Sequence, residues 1–274
     1  MTITGRSAGS CVPQQERATD GIPNIMTNHP FRFAWFSSGQ DTAARDLLRA
    51  AHAAIQNGTI PAELLYVFVN YELGESSEPD AFLQLCNELH LPCGTISSQN
   101  FQPDLRRRDR LRWREEFHHC ITRFPEIQGA DAIVFSGYML IASKDFCETH
   151  AAINLHPALP GGPKGTWQQV IDALVTRRAT ISGVQIHRVT NQLDAGPALC
   201  FCTFTIPDEP DSIQLRTKIR ALQTTREIPL QVAALRLLAF RDITFDREGF
   251  RTSTGQRLAP IDLTSDINSQ IDKS

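Results

Sequence analysis

At 274 residues, with 41% hydrophobic and 21% charged side chains, the chain is long enough for one large α/β domain with a substantial core. A formal charge of −3 gives no electrostatic footprint for nucleic acid or an anionic membrane, and no apolar run approaches the roughly 18 residues that a membrane span needs. The seven cysteines, Cys11, Cys86, Cys93, Cys120, Cys147, Cys200 and Cys202, form no Cys-x-x-Cys pair. Their odd number and the absence of a signal peptide imply reduced thiols in a cytoplasmic protein, with Cys200 and Cys202 packed on one face of a strand.

Residues 1–30 lack apolar periodicity and read as a disordered leader, with Met26 as an alternative start. Phe31 to Phe36, FRFAWF, is the first strand, broken by Ser37-Ser38-Gly39-Gln40-Asp41; a helix follows from Thr42, with Ala44, Leu47, Leu48, Ala51 and Ile55 on one face and Gly58 as its stop. The pattern repeats with a strand over 64–69, a helix over 80–90 and a short strand over 93–97. Leu111 to Phe124 is helical behind a basic run, Arg106-Arg107-Arg108-Asp109-Arg110, which reads as a solvated face. Ala132-Ile133-Val134-Phe135 is a central parallel strand, Ala152 to His156 another, Trp167 to Thr176 a helix, and Gly183 to Val189 and Ala198 to Ile206 strands. Ser212 to Phe240 is a helix divided or kinked at Pro229, and Ile243 to Phe245 a last strand. Alternating strands and helices predict an α/β fold, a doubly wound, mostly parallel, Rossmann-like sheet with helices on both faces. The expected organisation is a leader over 1–30, a catalytic domain over 31–246 and a polar tail over 247–274.

The chemistry is concentrated between Ala152 and Pro197. Alternation puts Asn154 and His156 on one face of their strand, about 7 Å apart at ~3.3 Å per residue, just before Pro157 ends regular pairing. An amide donor and an imidazole so placed can hold a developing oxyanion. Asp194, in the loop between the next two strands, can orient His156 and stabilise its charged form. The same residues also read as turn formers or hydrogen-bonded core groups. Pro160 to Gly165 is too rich in Gly and Pro for any element and forms a mobile loop beside this pair.

Asn154-x-His156-Pro157, followed by Gly183-x-x-x-His187-x-Val189-Thr190-x-x-Leu193-Asp194-x-Gly196-Pro197, resembles the catalytic core of the folate-dependent formyltransferases, in particular the glycinamide ribonucleotide formyltransferase family. Ser136-Gly137-Tyr138-Met139 is similar to that family's turn at the pterin pocket, and Arg114-Glu115-Glu116-Phe117 to the segment bearing its folate-contacting arginine. The resemblance implies formyl transfer from 10-formyltetrahydrofolate to a small-molecule amine, with glycinamide ribonucleotide as the first candidate. It implies Asn154, His156 and Asp194 as catalytic residues with a protonated His156, and His187 as a support. Arg114, Met139, Leu140, Ile141, Ala142, Thr190 and Asn191 would bind folate; Gly39, Gln40, Asp41, Thr42 and Lys164 would bind the acceptor. No metal is expected, and the partners are small molecules for a monomer or homodimer, without nucleic acid or membrane.

One turn departs from the family. Its glycine-rich phosphate cradle is here Gly39-Gln40-Asp41-Thr42-Ala43, and a carboxylate stands where a phosphate would sit. Arg45 and Lys164 are the nearby basic candidates, Arg45 being able to pair with Asp41 across one helical turn. The acceptor therefore stays open to another amine such as an amino sugar nucleotide. Hydrolysis of the same donor and a folate-binding pseudoenzyme are the other readings.

Overall fold

The βα alternation expected from Phe31 onward is present in the computed structural model, which describes residues 29–246 and 248–273. The leader expected over 1–30, Met26 included, lies outside the described residues except for His29 and Pro30. In chain order the elements are β1 (Phe31–Ser37), α1 (Thr42–Gln56), β2 (Ala62–Val69), α2 (Ser77–Glu88), β3 (Cys93–Thr95), α3 (Pro103–Arg108), α4 (Arg110–Thr122), α5 (Pro125–Gln128), β4 (Ala132–Phe135), α6 (Lys144–Thr149), β5 (Ala152–His156), α7 (Trp167–Thr176), β6 (Ile181–Arg188), β7 (Ala198–Thr205), α8 (Ser212–Ala239), β8 (Ile243–Phe245), β9 (Phe250–Thr252), β10 (Ile261–Asp262) and α9 (Thr264–Ile271).

Among the described residues the main sheet runs β10-β7-β6-β5-β4-β1-β2-β3. It is parallel from β3 to β5, whereas β6 is antiparallel to both β5 and β7. β1 shows why the sheet is covered on both faces. Phe31, Phe33 and Trp35 alternate into a core shared with Leu47 and Leu48 of α1 and Leu230, Ala234 and Leu235 of α8, whereas Ala34 and Phe36 point to the opposite core with Trp113, Phe117 and Ile121 of α4. Each of these large side chains, fully withdrawn from water, contributes about 1.5–3 kcal/mol by burial. In β5 the same alternation sends Ile153 and Leu155 toward α1 and α8, leaving Asn154 and His156 on the other face.

The chain leaves β1 for β2 and β3 on one side and returns to β4 on the other, so the carboxyl ends of β1 and β4 flank a topological switch point, where open α/β sheets bind ligands. The turn after β1 is shaped by Gly39, whose φ is 61°; a Cβ there would stand 2.8 Å from Phe82 Cβ. Asp41 then caps α1, its Oδ1 accepting from Ala44 N at 2.9 Å.

Three expectations need correction. The segment 247–274 is no plain polar tail: β9 pairs with β8 in a separate hairpin, β10 extends the main sheet beside β7, and Ile267 of α9 is buried in the core. β8 accordingly lies outside the main sheet. α8 is not divided at Pro229 but continues through it as one helix; its neighbours Ile228 and Leu230 pack into the core and hold the helix across the missing donor.

Candidate active site

A cavity of about 650 Å³ opens at the carboxyl ends of β1, β4 and β5, within the size range of small-molecule sites. Its walls come from Gln40 and Asp41 before α1, Gly137 to Ala142 after β4, Asn154 and His156 of β5, Gly165 and Trp167 before and in α7, His187 of β6, Thr190 and Asp194 after β6, and Arg220 and Glu227 of α8.

Antiparallel pairing places Asn154 directly opposite His187, with Asn154 Nδ2 and His187 Nε2 3.1 Å apart. His187 Nδ1–H donates to the Arg188 carbonyl at 2.8 Å. The neutral ring therefore accepts from Asn154 at Nε2; the charged ring donates from Nε2 toward Asp194 Oδ1, 3.6 Å away. Asp194 Oδ2 lies 3.5 Å from His156 Nδ1, both side chains nearly closed to solvent at 8% and 4% exposure. The aspartate adopts a left-handed conformation with φ 43°, one that Asp tolerates better than most residues, and Oδ2 accepts from Gly165 N at 2.9 Å. The following Gly196 passes so close to β6 that a Cβ would lie 1.8 Å from the Arg188 carbonyl oxygen.

His156 is held between two acceptors. Its Nε2–H donates to the Pro163 carbonyl at 2.8 Å, and Asp194 faces Nδ1. Only the imidazolium satisfies both neighbours, yet burial lowers its affinity for a proton more than Asp194 and the Pro163 carbonyl raise it. The net direction is below the ordinary histidine value, which favours the neutral ring over the protonated one expected from the pairing with Asp194. Burial also works to raise the Asp194 pKa, but His187 hydrogen bonding, the His156 charge and the Gly165 amide together hold it below the usual carboxylate range.

The expected site residues divide clearly. Asn154, His156, Asp194, His187, Met139, Leu140, Ile141, Ala142, Thr190, Gln40 and Asp41 line the cavity; Arg114, Asn191, Gly39, Thr42 and Lys164 are not part of its lining. Arg114 sits on α4, where its carbonyl accepts from His118 Nδ1 at 2.9 Å. Arg45 pairs with Glu78 Oε2 at 2.6 Å and Thr42 Oγ1 at 3.1 Å, not with Asp41. Lys164 belongs to the Gly-Pro loop, which the Pro163 and Gly165 contacts tie to the site.

Two further features escaped the sequence reading. Ser38 Oγ accepts from Met139 N at 2.9 Å and donates to Asn70 Oδ1 at 2.7 Å, while Asn70 Nδ2 donates to Ser98 Oγ at 3.1 Å. This buried chain fixes the turn after β4 to the ends of β1 and β2. Arg220 and Glu227 lie on one stripe of α8 with the buried Gln223 and Gln231; the available signal was polar residues at i, i+3, i+7 and i+11 where a packed helix presents apolar ones. Among the described residues no cluster of three or more His, Cys, Asp or Glu side chains is arranged for a metal, and no helix is long and apolar enough to cross a membrane.

A family model described as formyl transferase matches residues 31–229. Phosphoribosylglycinamide formyltransferase of Dictyostelium discoideum is 32% identical over 83 residues, a match spanning 27% of this chain and 40% of that protein's length. Among solved structures, phosphoribosylglycinamide formyltransferase of Coxiella burnetii superposes with a TM-score of 0.64 at 22% identity, covering 85% of this chain and 99% of that one. A formyltetrahydrofolate deformylase from Pseudomonas syringae gives a TM-score of 0.61 at 16% identity, covering 82% of this chain and 66% of that one.

Proposed function

The chain belongs to the formyl transferase family, and on that premise we propose that it transfers a formyl group from 10-formyltetrahydrofolate to a primary amine. The relatives' names make glycinamide ribonucleotide, and hence purine biosynthesis, the first acceptor to test. One observation carries this reading: Asn154, His156, His187 and Asp194 converge on one cavity, the last three nearly closed to solvent. The same cavity suits the donor, because the apolar turn Met139 to Ala142 lines it and offers contact to a flat pterin ring.

Each side chain then has a task. The Asn154 amide donates to the formyl oxygen as negative charge develops there, fixed in place by its contact with His187. With the Pro163 carbonyl displaced by the reacting groups, neutral His156 keeps its proton on Nδ1, donated to Asp194, and accepts at Nε2 the proton released by the attacking amine. The resulting imidazolium is stabilised by Asp194 at Nδ1, and its Nε2–H returns that proton to the departing folate nitrogen. The free buried thiols support a cytoplasmic setting.

The likeness to a formyltetrahydrofolate deformylase favours a second reading, in which water takes the place of the amine at the same side chains. Mass spectrometry of glycinamide ribonucleotide incubated with donor and protein tests the first reading. A product heavier by one formyl group is expected; free formate with unmodified amine overturns it in favour of hydrolysis.

A further inference from the structure

Resting on the formyl-transfer reading, we propose that the cavity wall formed by Asp41, Trp167, Arg220 and Glu227 selects the acceptor. It takes an amine carried on a neutral, polyhydroxylated ring in preference to one bearing a phosphate monoester.

Arg220 Nη1 contacts Glu227 Oε1 at 2.7 Å, with side-chain exposures of 19% and 6%, and its guanidinium lies 5.0 Å over the Trp167 ring. All three residues line the cavity that also holds His156 and Asp194. Removing such an ion pair from water is costly, and packing alone is served as well by apolar residues; a pair kept at a cavity wall is suited to polar ligand groups. Burial raises the Glu227 pKa, Arg220 opposes this, and the Asp41 charge raises it again, so two carboxyl groups share this end.

The basic groups at this wall are already paired. Arg220 is the one Lys or Arg among the described residues lining the cavity, and Glu227 engages it. One first-turn amide of α1, Ala44 N, is taken by Asp41 Oδ1, and Arg45 is held by Glu78. A phosphate arriving here meets two carboxyl groups and one paired guanidinium. Ring hydroxyls meet the opposite situation. They donate to Asp41 and Glu227 and accept from the remaining Arg220 N–H groups, while Trp167 offers an apolar platform to the ring.

A matched pair of probes isolates the phosphate: glycinamide riboside and glycinamide ribonucleotide share amine and ribose. With saturating 10-formyltetrahydrofolate, kcat/KM for the riboside should equal or exceed that for the ribonucleotide. Asp41→Gly should shift the ratio at least tenfold toward the ribonucleotide, and Glu227→Gln should raise the riboside KM about tenfold with little change in kcat. A wild-type preference of tenfold or more for the ribonucleotide overturns the proposal. Calorimetric titration of both probes in the presence of a 5,8-dideazafolate separates this claim from the chemistry. If neither probe is formylated but the riboside binds more tightly, the formyl-transfer reading fails and the selectivity stands; tighter ribonucleotide binding, or no binding of either, removes the selectivity.

Discussion

Replacing Asp194 by Asn changes one charge and almost no volume, so it isolates the electrostatic role of this side chain. The amide oxygen can still accept from Gly165 N, as Asp194 Oδ2 does at 2.9 Å, and the loop should keep its position. What is lost is the attraction between the carboxylate and the imidazolium formed on His156. At 3.5 Å and an effective dielectric constant of about 20, that attraction is about 5 kcal/mol. The figure is a ceiling, because the amide oxygen that takes the place of Oδ2 still faces Nδ1 and keeps part of that attraction. A loss of roughly 3–4 kcal/mol at the transition state corresponds to about 10²–10³-fold in kcat. The assay is release of tetrahydrofolate followed by absorbance at saturating amine, with thermal stabilisation by a folate analogue as the check that donor binding survives. A kcat within tenfold of wild type would refute the assignment of Asp194 as the group that stabilises protonated His156.

Asn154→Ala should lower kcat by ~100-fold or more while donor binding is retained, the size expected for a lost oxyanion donor; unchanged turnover would remove Asn154 from the mechanism. A folate analogue should protect Met139–Ala142 and Thr190–Asp194 from hydrogen exchange, and protection confined to Gly39–Ala43 would contradict the donor's placement. Burial, the largest influence, takes the His118 pKa down to about 4 from 6.5. The folded state therefore binds fewer protons than the unfolded one between these values, and stability complete above about pH 6.5 is lost as pH falls toward 4, by about 3 kcal/mol. Denaturant titrations at pH 7 and pH 4.5 should show a smaller loss for His118→Phe than for wild type; equal losses would contradict this.

Much of this architecture is legible in the sequence because its signals are long and periodic. FRFAWF and Ala132 to Phe135 are buried on both faces and carry the unbroken apolar runs of central parallel strands, and the alternation in β5 correctly put Asn154 and His156 together. β9 and β10, three and two residues long, are too short to express any period, so the C-terminal segment read as a tail. Their place is set by contact with β8 and β7, which no local pattern encodes. Arg220 and Glu227 are not singled out in the sequence, because periodicity shows which residues share a face and not that a polar stripe borders a cavity. The environment of His156 is only half legible for a related reason: Asp194 is visible in the motif, whereas the burial that opposes it belongs to the folded chain.

The central claim is that Asn154, His156 and Asp194 deliver the formyl group to an amine. Its most direct test is a single-turnover experiment with 10-formyltetrahydrofolate carrying a labelled formyl carbon, run with and without glycinamide riboside and ribonucleotide. The account predicts that tetrahydrofolate release depends on amine and that each folate released leaves one labelled formamide. Release at the same rate without amine, with the label recovered as formate, would contradict it.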